Sequence, residues 1–372
     1  MAHPLAGADP GTLWRVFREA GQVDRRGAAL GIWGAVLARA PFSALEYALT
    51  APRLPQAREM PPPIFILGHW RSGTTHLYNL MGLAGFAYAP PLAVGLPWDF
   101  LGLGRLLRPV LERQLPERRY IDDIPVTPTS PQEDEIGIAS MSPLSFYHGI
   151  YFPRAFDRLI DRGIFFDGAG EAEIAAWRAR LIHFFAKLSH SRPGRRLLVK
   201  NPAHTARPAM LREMFPGAKF IHIHRNPFKV FLSMRNFYTK LLQRLALQEV
   251  PAELDIDSTI LRVYARMMHR YEVETAGWTA PQLVELSYET LDSDPLGALR
   301  LIWEQLELEG FEAAAPRFRA YLEGVRGYRG HRFEADTTTM AKVEAALGPW
   351  IARWGYAAPE PLSAPVSGKG TG

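Results

Sequence analysis

The stretch Ile64-Phe-Ile-Leu-Gly-His-Trp-Arg-Ser-Gly-Thr-Thr-His-Leu-Tyr-Asn-Leu80 constrains the fold more than any other part of the chain. Three prolines, Pro61 to Pro63, end whatever precedes it. Ile64 to Leu67 are continuously apolar and β-favouring, the pattern of a short buried strand. Gly68 and Gly73 bracket a tight turn, and from Thr74 onward Leu77, Leu80 and Met81 recur at helical spacing. In such a strand, glycine-bracketed loop and helix start, successive backbone N–H groups and a helix N-terminus hold a phosphate.

Gly68-x4-Gly73 matches the first half of a Walker A loop, which continues with a lysine for the β/γ-phosphates and a hydroxyl for Mg²⁺. Here Thr74 stands at the lysine position, Thr75 follows, and the cation comes earlier, as Arg71. Such a loop is poorly equipped to split a nucleoside triphosphate but well equipped to cradle a 5′-phosphate carrying a second anionic group. The bland alternative is a strand–turn–helix junction with incidental glycines. Arg71 to Thr75, after an apolar strand, resemble the 5′-phosphosulfate loop of the sulfotransferases that use 3′-phosphoadenosine 5′-phosphosulfate (PAPS). The arginine form is closer to the bacterial and tyrosylprotein branches than to the cytosolic branch, which carries lysine there. The resemblance extends over roughly 62–355, strongest at 64–81 and 197–236.

Composition is compatible with that reading. The 372 residues, 47% apolar, suffice for one large α/β domain or for a domain plus a helical subdomain. The absence of cysteine excludes disulfides, thiolate metal sites and cysteine nucleophiles. A net charge of +5 with arginine well in excess of lysine suits an anionic ligand, although an arginine-rich proteome gives the same balance. Met1 to Asp9 lacks the basic and apolar regions of a secretory signal, so a cytoplasmic protein is expected. Ser72 to Trp98 carries no charged residue, but it begins inside the loop and is broken by Pro90, Pro91 and Pro97, which argues against a membrane span. Ala28 to Leu49 is apolar but interrupted by Arg39, Pro41 and Glu46; it reads as a helical hairpin or an interfacial helix, leaving peripheral membrane contact open.

The remaining chain alternates strands and helices. Residues 1–60 read as an N-terminal helical extension, 61–356 as the α/β domain and 357–372 as a disordered tail. Strands are expected at Ile64–Leu67, Leu197–Val199, Lys219–His224 and Leu283–Leu286, each ending in polar residues. Amphipathic helices are expected over 171–190, from Phe228 to about Leu242, and over about 257–276. The fold class is α/β: a P-loop-like parallel β-sheet flanked by helices, with ligands at the strand C-termini.

Arg225-Asn-Pro-Phe-Lys-Val-Phe-Leu-Ser233 follows a strand and opens a helix. The resemblance makes Arg225 and Ser233 the 3′-phosphate site, and a guanidinium fork plus a hydroxyl suits a dianionic monoester. It also implies that Tyr288 packs near adenine and that Arg329 and Arg332, in a glycine–basic loop, close over the donor. The donor-binding set is therefore Gly68, Arg71, Ser72, Gly73, Thr74, Thr75, Arg225, Ser233, Tyr288, Arg329 and Arg332. Each has a bland reading as a surface charge, filler or core residue.

Sulfuryl transfer pulls charge onto the bridging oxygen of the leaving 5′-phosphate, where Lys200, at the end of the second strand, and Arg71 are the candidate cations. The acceptor must also lose a proton. The cytosolic branch uses a histidine as base and the tyrosylprotein branch a glutamate soon after the loop helix; Ser72 to Trp98 departs from the latter. The nearest acids are Asp122, Asp123 and Glu133-Asp134-Glu135, which open an aromatic-rich run at 146–152. These three either perturb one another's titration or form a chemically idle helix-start cluster. Glu133 is the first candidate base, followed by His204 and His148. The expected reaction is in-line transfer from PAPS to a hydroxyl or amine of an apolar, lipid-like small molecule, with no metal and no nucleic-acid partner. The rivals are a kinase-type nucleotide enzyme and a non-catalytic membrane-peripheral module.

Overall fold

The computed structural model describes residues 3–113, 115, 126–324 and 336–359. Arg118, Arg119, Asp122, Asp123, Arg329, Arg332 and residues 360–372 lie outside them.

Four parallel strands, β1 Ile64–Leu67, β2 Leu198–Lys200, β3 Lys219–His224 and β4 Leu283–Ser287, form one sheet in the order β2-β1-β3-β4. Phe65 stands opposite both Val199 and Phe220. β1 is buried along its whole length, which is why it reads as an unbroken apolar run rather than an alternating one. Side-chain alternation sends Phe65, Leu67, Val199 and Phe220 to one side, against Trp177, Leu181, Phe184 and Phe185 of the helix Glu171–Ser191. Ile64, Ile66, Leu198 and Ile221 face the other side. There they meet Leu77, Leu80 and Met81 of α3, Thr74–Gly82, and Leu299, Ile302 and Trp303 of the helix Pro295–Gln305.

The second strand begins one residue later than its apolar run suggests. Leu197 lies just outside the strand, bridging Ala87 and accepting the Ile64 N–H at 2.8 Å, and Lys200 becomes the last paired residue, opposite Ile66. The lysine therefore leaves the sheet beside the end of β1.

Two helices precede the sheet, α1 Pro10–Ala20 and α2 Arg26–Thr50. Asp9 caps α1 by accepting the Thr12 N–H at 3.0 Å. Of the two forms the sequence allowed for Ala28 to Leu49, the hairpin is not seen: α2 is continuous through Pro41. Pro41 removes one N–H from the helix. On either side of it Arg39 pairs with Asp99, and Glu46 with Lys187 at 2.6 Å. The charged residues that interrupt the apolar pattern are thus the inward anchors of a single helix. Leu13, Val16, Ile32 and Val36 share a core with Ile150, Phe152, Phe156 and Leu247.

Candidate active site

The loop after β1 is shaped by backbone that side chains cannot easily adopt. Gly68 has φ 138°, and a Cβ there would lie 2.3 Å from the Ile223 carbonyl oxygen. Gly73 has φ 95°, and its Cβ would lie 2.2 Å from Cδ2 of Tyr288. Between them the Ser72 hydroxyl donates to the His69 carbonyl at 2.7 Å, closing the turn internally. Thr205 ties the loop to the segment after β2: its Oγ1 accepts the Gly68 N–H at 2.8 Å and donates to the Gly68 carbonyl at 3.3 Å. Gly73 begins α3, and no side chain among the described residues caps that helix. Its first-turn N–H groups lie at the positive end of the helix dipole, where an anion is favoured.

The third strand delivers the next group. Asn226 caps the helix Pro227–Leu245, accepting the Phe228 N–H at 3.0 Å, with Pro227 in the first turn. That start places Arg225 just before the helix and Ser233 two turns into it. Arg71 Nε donates to Ser233 Oγ at 2.7 Å, and Arg225 Nη1 donates to the Arg71 carbonyl at 3.2 Å. The Arg225 guanidinium lies 4.3 Å over the Tyr288 ring, and its buried Nε has no partner among the described residues. Tyr288 opens the helix Tyr288–Ser293, and burial raises its phenol pKa. Arg71, Gly73, Arg225, Ser233 and Tyr288 are thus brought together from three separate connections. Arg71, expected beside Lys200, is engaged on the Ser233 side.

Lys200 occupies the other end of α3's first turn. Its Nζ donates to Thr75 Oγ1 at 3.1 Å and forms an ion pair with Glu133. Both are buried, at 1% and 8% exposure. Glu133 precedes the short helix Asp134–Ile138, and its two acidic neighbours find separate partners. Asp134 Oδ2 meets His204 Nε2 at 2.9 Å. Glu135 Oε2 accepts from Asn201 Nδ2 at 2.8 Å and lies 3.7 Å from Arg207. Burial raises the Glu135 carboxyl pKa.

The two histidine candidates are enclosed. His204 lies in the 3-10 turn Pro202–Ala206, fully buried, with ring centroids 5.9 Å from Phe65 and 6.2 Å from Trp177. His148 is buried with its ring nitrogens facing the carbonyls of Pro143 and Ala139, at 3.0 and 2.9 Å. Three loop-supporting residues escaped sequence reasoning. Thr205 directly follows His204 but carries no motif. His69 and Trp70 lie inside the loop, where the glycines and cations drew attention. His69 is buried, its Nδ1 is 3.0 Å from the Trp70 carbonyl, and burial lowers its pKa to about 4. The Trp70 ring meets Phe146 edge-on at 4.8 Å, which seats the aromatic run of 146–152 against the loop.

Comparison with known proteins points in one direction. A model described as the sulfotransferase family matches residues 62–313. The chain is 31% identical over 299 residues to omega-hydroxy-beta-dihydromenaquinone-9 sulfotransferase Stf3 of Mycobacterium bovis, covering 79% of this chain and 75% of that protein. The Mycobacterium tuberculosis protein of the same name matches equally. Among solved structures, sulfotransferase STF9 from Mycobacterium avium superposes with a TM-score of 0.67 at 15% identity, covering 94% of this chain and 97% of that one. Sulfotransferase STF1 from Mycobacterium tuberculosis gives 0.58 at 16% identity, over 84% and 85% of the two chains.

Proposed function

The chain belongs to the sulfotransferase family, and from that premise we propose that it moves the sulfuryl group of PAPS to a hydroxyl of an apolar, lipid-like acceptor. The observation that carries the donor assignment is the convergence of Arg71, Arg225 and Ser233 beside a helix N-terminus that no side chain among the described residues caps. Two guanidiniums and a hydroxyl suit the 3′-phosphate, and Tyr288 beside Gly73 offers a face for the base. The α3 N–H groups, with Thr74 and Thr75, suit the 5′-phosphate. Arg329 and Arg332 remain proposed lid contacts.

Bound PAPS would supply an activated sulfur: one S–O bond forms to the acceptor oxygen while the bond to the 5′-phosphate breaks. Lys200, held at Thr75, is placed to stabilise the charge that develops on the leaving phosphate. We assign Arg71 to donor binding, because its guanidinium is engaged with Ser233. Glu133 is the base that takes the acceptor proton; His204 and His148 are enclosed by core and carbonyl groups. The lipid-like acceptor is supported by the menaquinone-derived substrate in the name of the mycobacterial relative. A cytoplasmic protein acting on small molecules fits this reading, and the missing Walker lysine disfavours a kinase.

The test is calorimetry with 3′-phosphoadenosine 5′-phosphate, AMP and ATP. The bisphosphate is expected to bind far more tightly, and Arg225→Ala to weaken it by about 1.5–3 kcal/mol, the scale of a charged hydrogen bond. Equal affinity for AMP would remove the 3′-phosphate assignment. Mass spectrometry of sulfated lipids in cells with and without the gene would identify the acceptor.

A further inference from the structure

Helix α2 presents a surface that the catalytic domain does not use. Leu30, Leu37, Leu45 and Leu49 are 73%, 57%, 58% and 55% exposed, and at about 100° per residue they fall on one broad face of the helix. Phe42, half exposed, extends that face. The face is long, because 25 residues at about 1.5 Å rise span about 37 Å. An exposed apolar stripe of this kind marks an interaction site.

Charge identifies the partner. From Arg26 to Arg53 the sequence contains a single acid, Glu46, which is turned inward onto Lys187. The exposed charges at the two ends are Arg25 and Arg26 beside Asp24, which pairs with Arg154 at 2.8 Å, and Arg53 and Arg58 beside Glu59, so each end is net basic. The next exposed apolar residues, Leu106 and Val110, are interleaved with exposed Arg105 and Arg113 and with Arg108, which pairs with Glu112 at 2.6 Å. They follow directly on the Leu101–Gly102 turn, whose N–H groups Glu46 accepts at 3.3 and 2.5 Å. An apolar stripe between arginine-bearing ends complements an anionic lipid surface, with leucines among the acyl chains and guanidiniums at the phosphates. A second copy fits poorly: pairing two α2 helices along this face, parallel or antiparallel, sets arginine ends against arginine ends. A span is excluded by the anchors. Crossing hydrocarbon would require pulling Arg39 from Asp99 and Glu46 from Lys187.

We propose that α2 lies flat on the surface of an anionic bilayer and docks the enzyme there, its core-packed side holding the catalytic domain above the lipid. The inference rests on α2 and the surface adjoining it, and stands whether or not the acceptor is a lipid.

The experiment is vesicle co-sedimentation of the full chain with phosphatidylcholine vesicles containing or lacking phosphatidylglycerol. Binding is expected with the anionic vesicles and to fall as salt rises. Leu37→Asp and Leu45→Asp are each expected to weaken it roughly tenfold or more, and Arg25→Ala and Arg26→Ala roughly fivefold each. Thermal melting and bisphosphate binding of these variants should match the parent, because none of the four residues touches the donor loops. Absence of binding, binding indifferent to the leucine substitutions, or a dimer in sedimentation velocity that those substitutions dissociate would each overturn the proposal. Loss of donor binding in the parent would count against the donor site and leave the docking surface unaffected.

Discussion

The Lys200–Glu133 pair is a buried ion pair to which we also assign a chemical role, and a double-mutant cycle separates the two. The side chains are 2% and 10% exposed, so solvent screening offers little relief when one is removed. Removing one partner of a buried ion pair costs about 3–5 kcal/mol, because the other charge is left without compensation. Lys200→Met is expected at that scale, since it leaves the buried Glu133 carboxylate without the ammonium it pairs with. Glu133→Gln is expected below it, because its amide oxygen can still accept from the ammonium. The double variant should recover stability relative to the sum of the singles, with a coupling of about 1–3 kcal/mol in urea unfolding. Turnover should behave oppositely. Glu133→Gln is expected to lose about 10²–10⁴-fold in rate at unchanged bisphosphate affinity, and the double variant should regain none of it. Additive stabilities would show that the pair is not coupled in solution. Near-parent turnover in Glu133→Gln would take the proton transfer away from Glu133, and an inactive His204→Ala beside it would hand that role to the histidine.

Three further outcomes follow from the loop. Gly73→Ala places a methyl against Tyr288 at a φ of 95°, which costs about 1–2 kcal/mol in backbone alone and pushes the ring off Arg225. Calorimetry should show bisphosphate affinity falling about tenfold or more, and an unchanged value would place Tyr288 outside the site. Thr205→Val keeps shape but leaves the buried Gly68 N–H without its acceptor, so unfolding free energy should drop by about 1–3 kcal/mol with weaker bisphosphate binding. Parent-like values of both would show that Thr205 does not fix the loop. His69 is held neutral by burial, its pKa lowered from 6.5 to about 4, so between those values the unfolded chain binds the extra proton. Its contribution, on the order of 3 kcal/mol, is present above pH 6.5 and is lost as pH falls to about 4. His69→Gln should flatten that part of the stability–pH curve; an unchanged slope would place the acid sensitivity elsewhere.

What the sequence made legible was whatever is local. The run Ile64 to Leu67, the glycines and the Arg225-Asn226-Pro227 helix start are determined by residues within a few positions, and the structure reproduces them. The hand-over from β2 to Lys200 moved by one residue because strand ends depend on pairing partners, here Ile66 and Ala87, that periodicity cannot see. The helical form of α2 was open for a similar reason. Arg39 and Glu46 look like interruptions until Asp99 and Lys187, far along the chain, are set beside them. Thr205 supports Gly68 across 137 positions of sequence, and no pattern in a single chain marks a lone threonine for that task.

The acid cluster shows how such long-range pairing sets one carboxylate apart from its neighbours. Glu133 is extended, with φ −64° and ψ 130°, while Asp134 and Glu135 already lie in the first helical turn. Consecutive side chains at a helix start leave the backbone in different directions, so the three carboxylates cannot share one partner. Burying three acids is unfavourable unless each is paired or hydrogen-bonded. The segment from Lys200 to Arg207 supplies all of the partners named: a lysine, an asparagine, a histidine and an arginine. Of these, Lys200 reaches Thr75 at the start of α3, so the carboxylate it holds is the one brought to the donor loop. Asp134 and Glu135 are spent on His204, Asn201 and Arg207 in the interior. The same pairing that makes the cluster tolerable in the core therefore distinguishes Glu133 from its neighbours, for a reason that acid content alone does not supply.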